Sequence, residues 1–236
     1  MATRYAVVEL ESVESTQNEA RDRYDRLGPV LVMADHQTSG RGRLGREWIE
    51  PDRAMFASLA FEPVWPIESW SLIPLTAGLA ARSAIGDVSG ITTDLRWPND
   101  LMIGGGKIGG LLVESGDGVV VVGCGINLAW AAPVVGGDAL YGSDPGPEVV
   151  TELAAEWADR FLARMALDPG DWGLEEYREA CITIGRSVSY AAGTGIAAAV
   201  LDDGSLLVET EDGVISVNSG EVRLHDRSTL SPDRRN

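Results

Sequence analysis

The chain has 236 residues, 44% of them hydrophobic and 23% charged, with a formal net charge of −17. That length suits one large domain, or a large domain with a small appendage, and the acidic balance argues against broad binding to nucleic acid or anionic membranes, which takes a basic footprint. No apolar run approaches the roughly 20 residues that cross a bilayer, and the start is too short in apolar residues for a secretory signal, so a cytoplasmic location is expected.

Residues 12–25 read as a helix opened by a capping box, in which Thr16 accepts from the Glu19 amide and Glu19 reaches back. Gly28-Pro29 ends it. Residues 30–34 are a buried strand, 35–48 a polar loop, 55–61 an alternating strand and 70–85 a helix with apolar residues at helical spacing. Further strands are expected at 92–96, 111–114 and 119–128, with Lys107 opening the second of these. A Gly/Pro-rich loop follows at 133–147, then helices at 149–165 and 174–182. Short β-like segments at 187–190, 195–201, 205–209 and 214–217 are separated by Asp-Gly turns, and they predict a small barrel. Residues 228–236 are polar and aperiodic, and are expected to be a disordered tail. Cys124 and Cys181 read as separate buried hydrophobes, so neither a disulfide nor a structural metal is expected.

Two segments carry unusual chemistry. The chain holds eighteen arginines and one lysine, Lys107, in the glycine-dense stretch Gly104-Gly105-Gly106-Lys107-Ile108-Gly109-Gly110. Lysine is a compact point charge on a flexible stem and arginine a planar fork, so a site that needs the former cannot accept the latter. The stretch is not a phosphate-binding P-loop, because Ile108 stands where Ser or Thr must hold magnesium. The second segment is Gly40-Arg41-Gly42-Arg43-Leu44-Gly45-Arg46-Glu47-Trp48. Glycine lets backbone approach a ligand and arginine pairs with phosphate or carboxylate, so this loop reads as a lid over an anion or, equally, as a solvated flexible loop. Asn99 and Asp100 precede the turn before Lys107. An arginine-rich loop, a lone lysine and an Asn-Asp pair suit a nucleotide and a carboxylate brought together for adenylation. No Ser-His-Asp or Cys-His nucleophile can be assembled, and His36 and His225 read as surface or loop residues.

These segments, with Trp97-Pro98-Asn99-Asp100, Lys107-Ile108-Gly109-Gly110-Leu111-Leu112-Val113-Glu114, Gly123-Cys124-Gly125-Ile126-Asn127-Leu128 and a terminal Ser219-Gly220-Glu221-Val222, resemble biotin protein ligases in order and spacing. The resemblance implies an α+β fold: a mixed-sheet catalytic domain at 1–183, like those of class II aminoacyl-tRNA synthetases and lipoate ligases, then an SH3-like barrel at 184–227. It implies that biotin and MgATP form biotinyl-5′-AMP, which a lysine of a biotin carboxyl carrier domain attacks. Carried onto this sequence, Ser15, Thr16, Gln17, Gln37 and Gly110 would contact biotin. Arg41, Gly42 and Arg43 would close over biotin and the adenylate, with Arg43 most important in retaining it. Arg46 and Trp48 would serve phosphate and adenine, Asn127 would lie by the adenine, and Lys107 would touch both biotin and phosphate oxygens. Asn99 and Asp100 are candidates for organising magnesium or the loop. Two positions depart from the family pattern: Gln17 for its usual Asn, and Arg96 where lysine is common. Ser15 and Thr16 also serve as helix caps, and Asn127 can equally satisfy a strand end. The first motif at Ser15 leaves no room for an N-terminal DNA-binding module, so no DNA binding is expected. A homodimer through an exposed sheet edge is compatible with the resemblance. A lipoate ligase and a non-catalytic biotin or nucleotide sensor are the competing readings.

Overall fold

A computed structural model describes residues 5–218 and 222–224. The expected tail, His225 and Ser219-Gly220-Glu221 lie outside the described residues. Seven strands form a mixed sheet: β1 (Ala6–Val13), β2 (Val30–Gln37), β3 (Arg53–Phe61), β4 (Asp94–Arg96), β5 (Asp100–Ile103), β6 (Gly106–Gly116) and β7 (Val119–Ala129). Their order is β1-β2-β3-β7-β6-β5-β4. Only β1 and β2 run parallel, and helix α1 (Thr16–Leu27) makes the crossover that parallel pairing requires.

Strand parity sorts the two faces. Along β7, Val120, Val122, Cys124, Ile126 and Leu128 join the main core beneath α2 (Ile73–Ser89) and α3 (Pro147–Met165), where Trp157 stacks on Phe161. Val119 and Val121 face the other way, into a small cluster with Ala20 of α1. Gly123, Gly125 and Asn127 continue that second face beyond the start of α1, and the sheet is uncovered by helix there. Both cysteines are buried and free.

The structure departs from the sequence reading at several places. Strands β1 and β5 were not expected. In β1 the alternation is Ala6, Val8 and Leu10 against exposed Val7, Glu9 and Glu11, the pattern of a half-solvated edge strand. Because β1 pairs with β2 as far as Val13–Gln37, α1 starts at Thr16 rather than at residue 12. The capping box is also absent: Ser15 is the N-cap without a side-chain bond, and the Thr16 hydroxyl goes to Gln37 and Ser58 instead. Tertiary partners won over the local cap.

After α4 (Leu174–Ala180), five strands make an antiparallel sheet: β8 (Ser187–Tyr190), β9 (Gly193–Val200), β10 (Leu206–Thr210), β11 (Gly213–Val217) and β12 (Arg223–Leu224). The order is β11-β10-β9-β8-β12, and β11 and β12 do not pair among the described residues, so the expected barrel is an open sheet here. Its Asp202-Asp203-Gly204 turn docks on the first sheet's layer. The carbonyls of those three residues accept from Trp172 Nε1, Ser71 Oγ and Trp97 Nε1 at 3.1, 3.0 and 2.9 Å. Since Trp97 leads into Asn99 and Asp100, this docking also steadies the turn that carries them.

Candidate active site

On the uncovered sheet face lies a cavity of about 790 Å³, bounded by the first turn of α1, the 40–48 loop, the 96–100 turn, β6, β7, residues 130–137 and Val222 to Leu224. Its floor is glycine. A Cβ at Gly123 would come within 2.9 Å of Gln17 Oε1, and one at Gly125 within 3.0 Å of the Trp48 ring. Those two side chains therefore lie against the bare sheet. Trp48 is held there edge-on to Phe56, with ring centroids 6.4 Å apart.

Lys107 reaches this face through a bulge. Leu101 pairs with Gly109 but Met102 pairs with Lys107, so Ile108 is the extra residue. The bulge lets both Ile108 and Leu111 enter the core while Lys107 and Gly110, three positions apart, share the cavity side. Lys107 Nζ sits 2.6 Å from Asp100 Oδ1 and 5.9 Å from the centroid of the Trp48 ring. Arg96 takes the other Asp100 oxygen, with Nη2 at 2.6 Å and Nε at 2.9 Å. The main chain of Lys107 is fixed from both sides: its N–H donates to Gly136 O at 2.8 Å and its carbonyl accepts from Asp138 N at 2.9 Å.

The 40–48 loop is folded back on itself by Gly42 N–H to Arg46 O at 2.7 Å and Trp48 N–H to Gly40 O at 2.9 Å. Leu44 adopts φ 59° at its tip, a left-handed conformation that costs a side chain more than it would glycine. Two arginines tie the loop across the cavity. Arg43 donates to Asn99 Oδ1 at 3.1 Å, and Asn99 Nδ2 donates to Leu111 O at 2.8 Å. Arg41 meets Glu114 of β6 with two nitrogens, at 3.2 and 2.9 Å, and Asn18 at 2.8 Å. Burial lowers the Arg43 pKa from its ordinary value; Asp100 opposes this and Arg46 adds to it. A guanidinium stays charged at neutral pH regardless.

At the inner end, Gln37 Oε1 accepts from both the Thr16 amide (2.8 Å) and the Thr16 hydroxyl (3.1 Å), which also contacts Ser58 Oγ at 2.8 Å. Ser15, Thr16 and Gln17 are all buried. Asn127 Nδ2 donates to Asp138 O at 2.9 Å, leaving its buried Oδ1 without a partner, as are Gln17 Oε1 and Trp48 Nε1. Buried polar atoms of this kind are normally satisfied, so three of them around one cavity mark where a ligand supplies the missing groups.

The cavity thus gathers every expected site residue: Ser15, Thr16, Gln17, Gln37, Arg41, Gly42, Arg43, Arg46, Trp48, Asn99, Asp100, Lys107, Gly110 and Asn127 all line it. It adds others that sequence reasoning gave no role, notably Ser58, Gly123, Arg223 and Trp130. Ser58 had a signal, being a hydroxyl on the otherwise apolar β3; Arg223 had none, since only the small sheet's docking brings it near. Six cationic side chains line the space against two carboxylates, Glu47 and Asp100, in a chain of net charge −17. Such a site suits an anion whose charge grows during reaction. Burial in the core pushes the Cys124 thiol far up, so this sulfur is no nucleophile.

Residues 10–129 match the Biotin/lipoate A/B protein ligase family and residues 183–224 the Biotin protein ligase C terminal domain. The chain is 32% identical over 209 residues to a biotin–[acetyl-CoA-carboxylase] ligase of Mycobacterium tuberculosis, covering 82% of this chain and 78% of that protein. It is 30% identical over 220 residues to the enzyme of that name from Paracoccus denitrificans, covering 83% and 90%. Among solved structures, the biotin protein ligase of Aquifex aeolicus in complex with biotin and ATP superposes with a TM-score of 0.76 at 26% identity, covering 93% of this chain and 98% of that one.

Proposed function

The chain belongs to the Biotin/lipoate A/B protein ligase family, and we propose how its cavity residues divide the work of that chemistry. It is an ATP-dependent biotin protein ligase. Biotin and ATP form biotinyl-5′-AMP and pyrophosphate, and the ε-amine of a carrier-domain lysine then attacks the mixed anhydride and displaces AMP. The carrier is the biotin carboxyl carrier domain of a biotin-dependent carboxylase, as the names of the relatives suggest.

The observation that carries the assignment of roles is the concentration of six cations over a glycine floor around the chain's single lysine. Biotin enters the inner end, where Ser15, Thr16, Gln17, Gln37 and Gly110 surround it. Lys107 is placed to shift from Asp100 to the oxygens that gain charge as the carboxylate attacks the α-phosphate. Arg43, from the loop above, and Arg46 neutralise phosphate oxygens, with Arg41 and Gly42 carrying that loop over the ligands. Trp48 and Asn127 receive the adenine, where an unpaired indole N–H and an unpaired amide oxygen wait for acceptor and donor respectively. No nucleophile of the enzyme is required, because the acceptor supplies the amine.

Magnesium arrives with the nucleotide. Both Asp100 oxygens already face cations, the Asn99 amide is engaged on both sides, and no group of three or more His, Cys, Asp or Glu converges among the described residues. The donor set therefore does not fit a resident magnesium ion, and we assign Asn99 and Asp100 to organising the loop and Lys107. The acidic chain is expected not to bind DNA specifically and to work in the cytoplasm, where ATP is supplied. Incubation with biotin, ATP and a carrier domain should attach biotin to one carrier lysine, detected by avidin binding and intact mass. No ATP-dependent transfer, or equal transfer of lipoate, would refute the assignment.

A further inference from the structure

Glu114 lies outside the cavity lining, yet two separate elements, the 40–48 loop and α1, meet on its carboxylate. Arg41 of the 40–48 loop binds both oxygens, at 3.2 and 2.9 Å. Gln17, in the first turn of α1, donates Nε2 to Oε2 at 3.1 Å. The strand that carries Glu114 is itself clamped to α1, because Arg21 donates to the carbonyls of Glu114, Gly116 and Val119. The helix start and the end of β6 thus form one fixed unit, and the loop fastens to that unit through Arg41.

Two of the ties that hold the loop among the described residues differ in kind. Arg43–Asn99 is a single bond to a neutral amide, whereas Arg41–Glu114 is a forked, charge-assisted contact, the stronger and more directional type. The carboxylate also decides how the Gln17 amide sits. The atoms around Nε2 are all acceptors: Glu114 Oε2, Leu112 O and Val121 O. Oε1 is consequently turned toward Gly123 on the cavity floor, buried and without a partner.

We propose that Glu114 is a positioning residue for the adenylation site: it latches the glycine–arginine loop across the cavity through Arg41 and fixes the Gln17 amide beneath it. The inference rests on the biotin-adenylation reading above. When the latch is made, the loop retains the acyl-adenylate until an acceptor amine arrives; when it opens, the intermediate escapes. Side chains one-third and two-fifths exposed make the contact sensitive to ionic strength.

The test uses the full chain and the near-isosteric Glu114→Gln, a change at a half-exposed side chain that keeps its size, with the melting temperature of the variant checked against wild type. Wild-type and variant are charged with biotin and ATP, and escape is read as biotin transferred to polylysine. Escape should rise about threefold to fivefold in Glu114→Gln, the range of one exposed ion pair, with KM for biotin raised more than kcat is lowered. Salt should raise wild-type escape toward the variant's value and leave the variant's unchanged. Adding Arg41→Gln to Glu114→Gln should change little further, because the two single changes break one contact. Unchanged escape in Glu114→Gln, or additive effects of the two substitutions, overturns the proposal. If the wild-type enzyme forms no adenylate, the functional reading fails instead. The latch is then still decided by hydrogen exchange at the Gly42 and Trp48 amides without substrate: faster in Glu114→Gln supports it, unchanged overturns it.

Discussion

Lys107→Arg keeps the charge and removes only the geometry, which makes it the sharpest probe of the lysine's role. In the structure Nζ is a single point 2.6 Å from Asp100 Oδ1, while Arg96 already spans Oδ2 with two nitrogens. A second guanidinium at position 107 keeps the attraction to Asp100, but its wider fork has one free carboxylate oxygen to meet. A Cβ at Gly110 would lie 3.3 Å from Nζ, so the lysine tip already fills the space over that bare glycine and a bulkier head must move outward. Displacing a donor from the oxygen it stabilises in the transition state costs about 2.7–4 kcal/mol, or roughly 10²–10³ in rate. Because charge is retained, we expect the lower end, about a hundredfold loss in single-turnover pyrophosphate release. KM for biotin should move less than about threefold, since the lost interaction is one made in the transition state. Melting should be unchanged. A Lys107→Arg rate within about threefold of wild type would refute the argument that this site needs a point charge.

Three further outcomes follow from the same geometry. Gly125→Ala places a methyl 3.0 Å from the Trp48 ring and displaces it from the floor; overpacking of about 1–3 kcal/mol should appear as a KM for ATP raised about tenfold, and an unchanged KM would dissociate Trp48 from adenine binding. Arg43→Gly removes the tie to Asn99 and a half-buried charge over the cavity, so bystander proteins should gain biotin in proportion to adenylate leakage, and an unaltered labelling pattern would contradict that role for Arg43. The scarcity of lysine predicts little self-labelling: with biotin and ATP but no carrier, intact mass should stay near that of the unmodified chain. Heavy modification of Lys107 would count against its being held by Asp100.

Where the sequence was legible, a single element or a local turn decided the outcome. The helical spacing of α2, the amphipathic pattern of α3 and the turn at Asp202-Asp203-Gly204 depend on neighbours along the chain; α3 and the turn appear where expected, and α2 is shifted three to four residues on, to Ile73–Ser89. The hidden features depend on distant partners. Thr16 has the makings of a capping residue, but Gln37 and Ser58 stand within reach of its hydroxyl. The bulge at Ile108, which turns Lys107 and Gly110 to one side, leaves no mark in the hydrophobic pattern. Glu114 looks like the polar end of an apolar strand until Arg41 and Gln17 are seen converging on it. The cations of the site were visible as residues, whereas Arg223 joined them only through β12 pairing with β8.

Biotin adenylation is tested most directly by pyrophosphate release from ATP by the full chain, measured with biotin, with lipoate and with neither. Release should depend on biotin, stop near one equivalent without a carrier and be negligible with lipoate. Release that ignores biotin, or proceeds equally with lipoate, would contradict that reading.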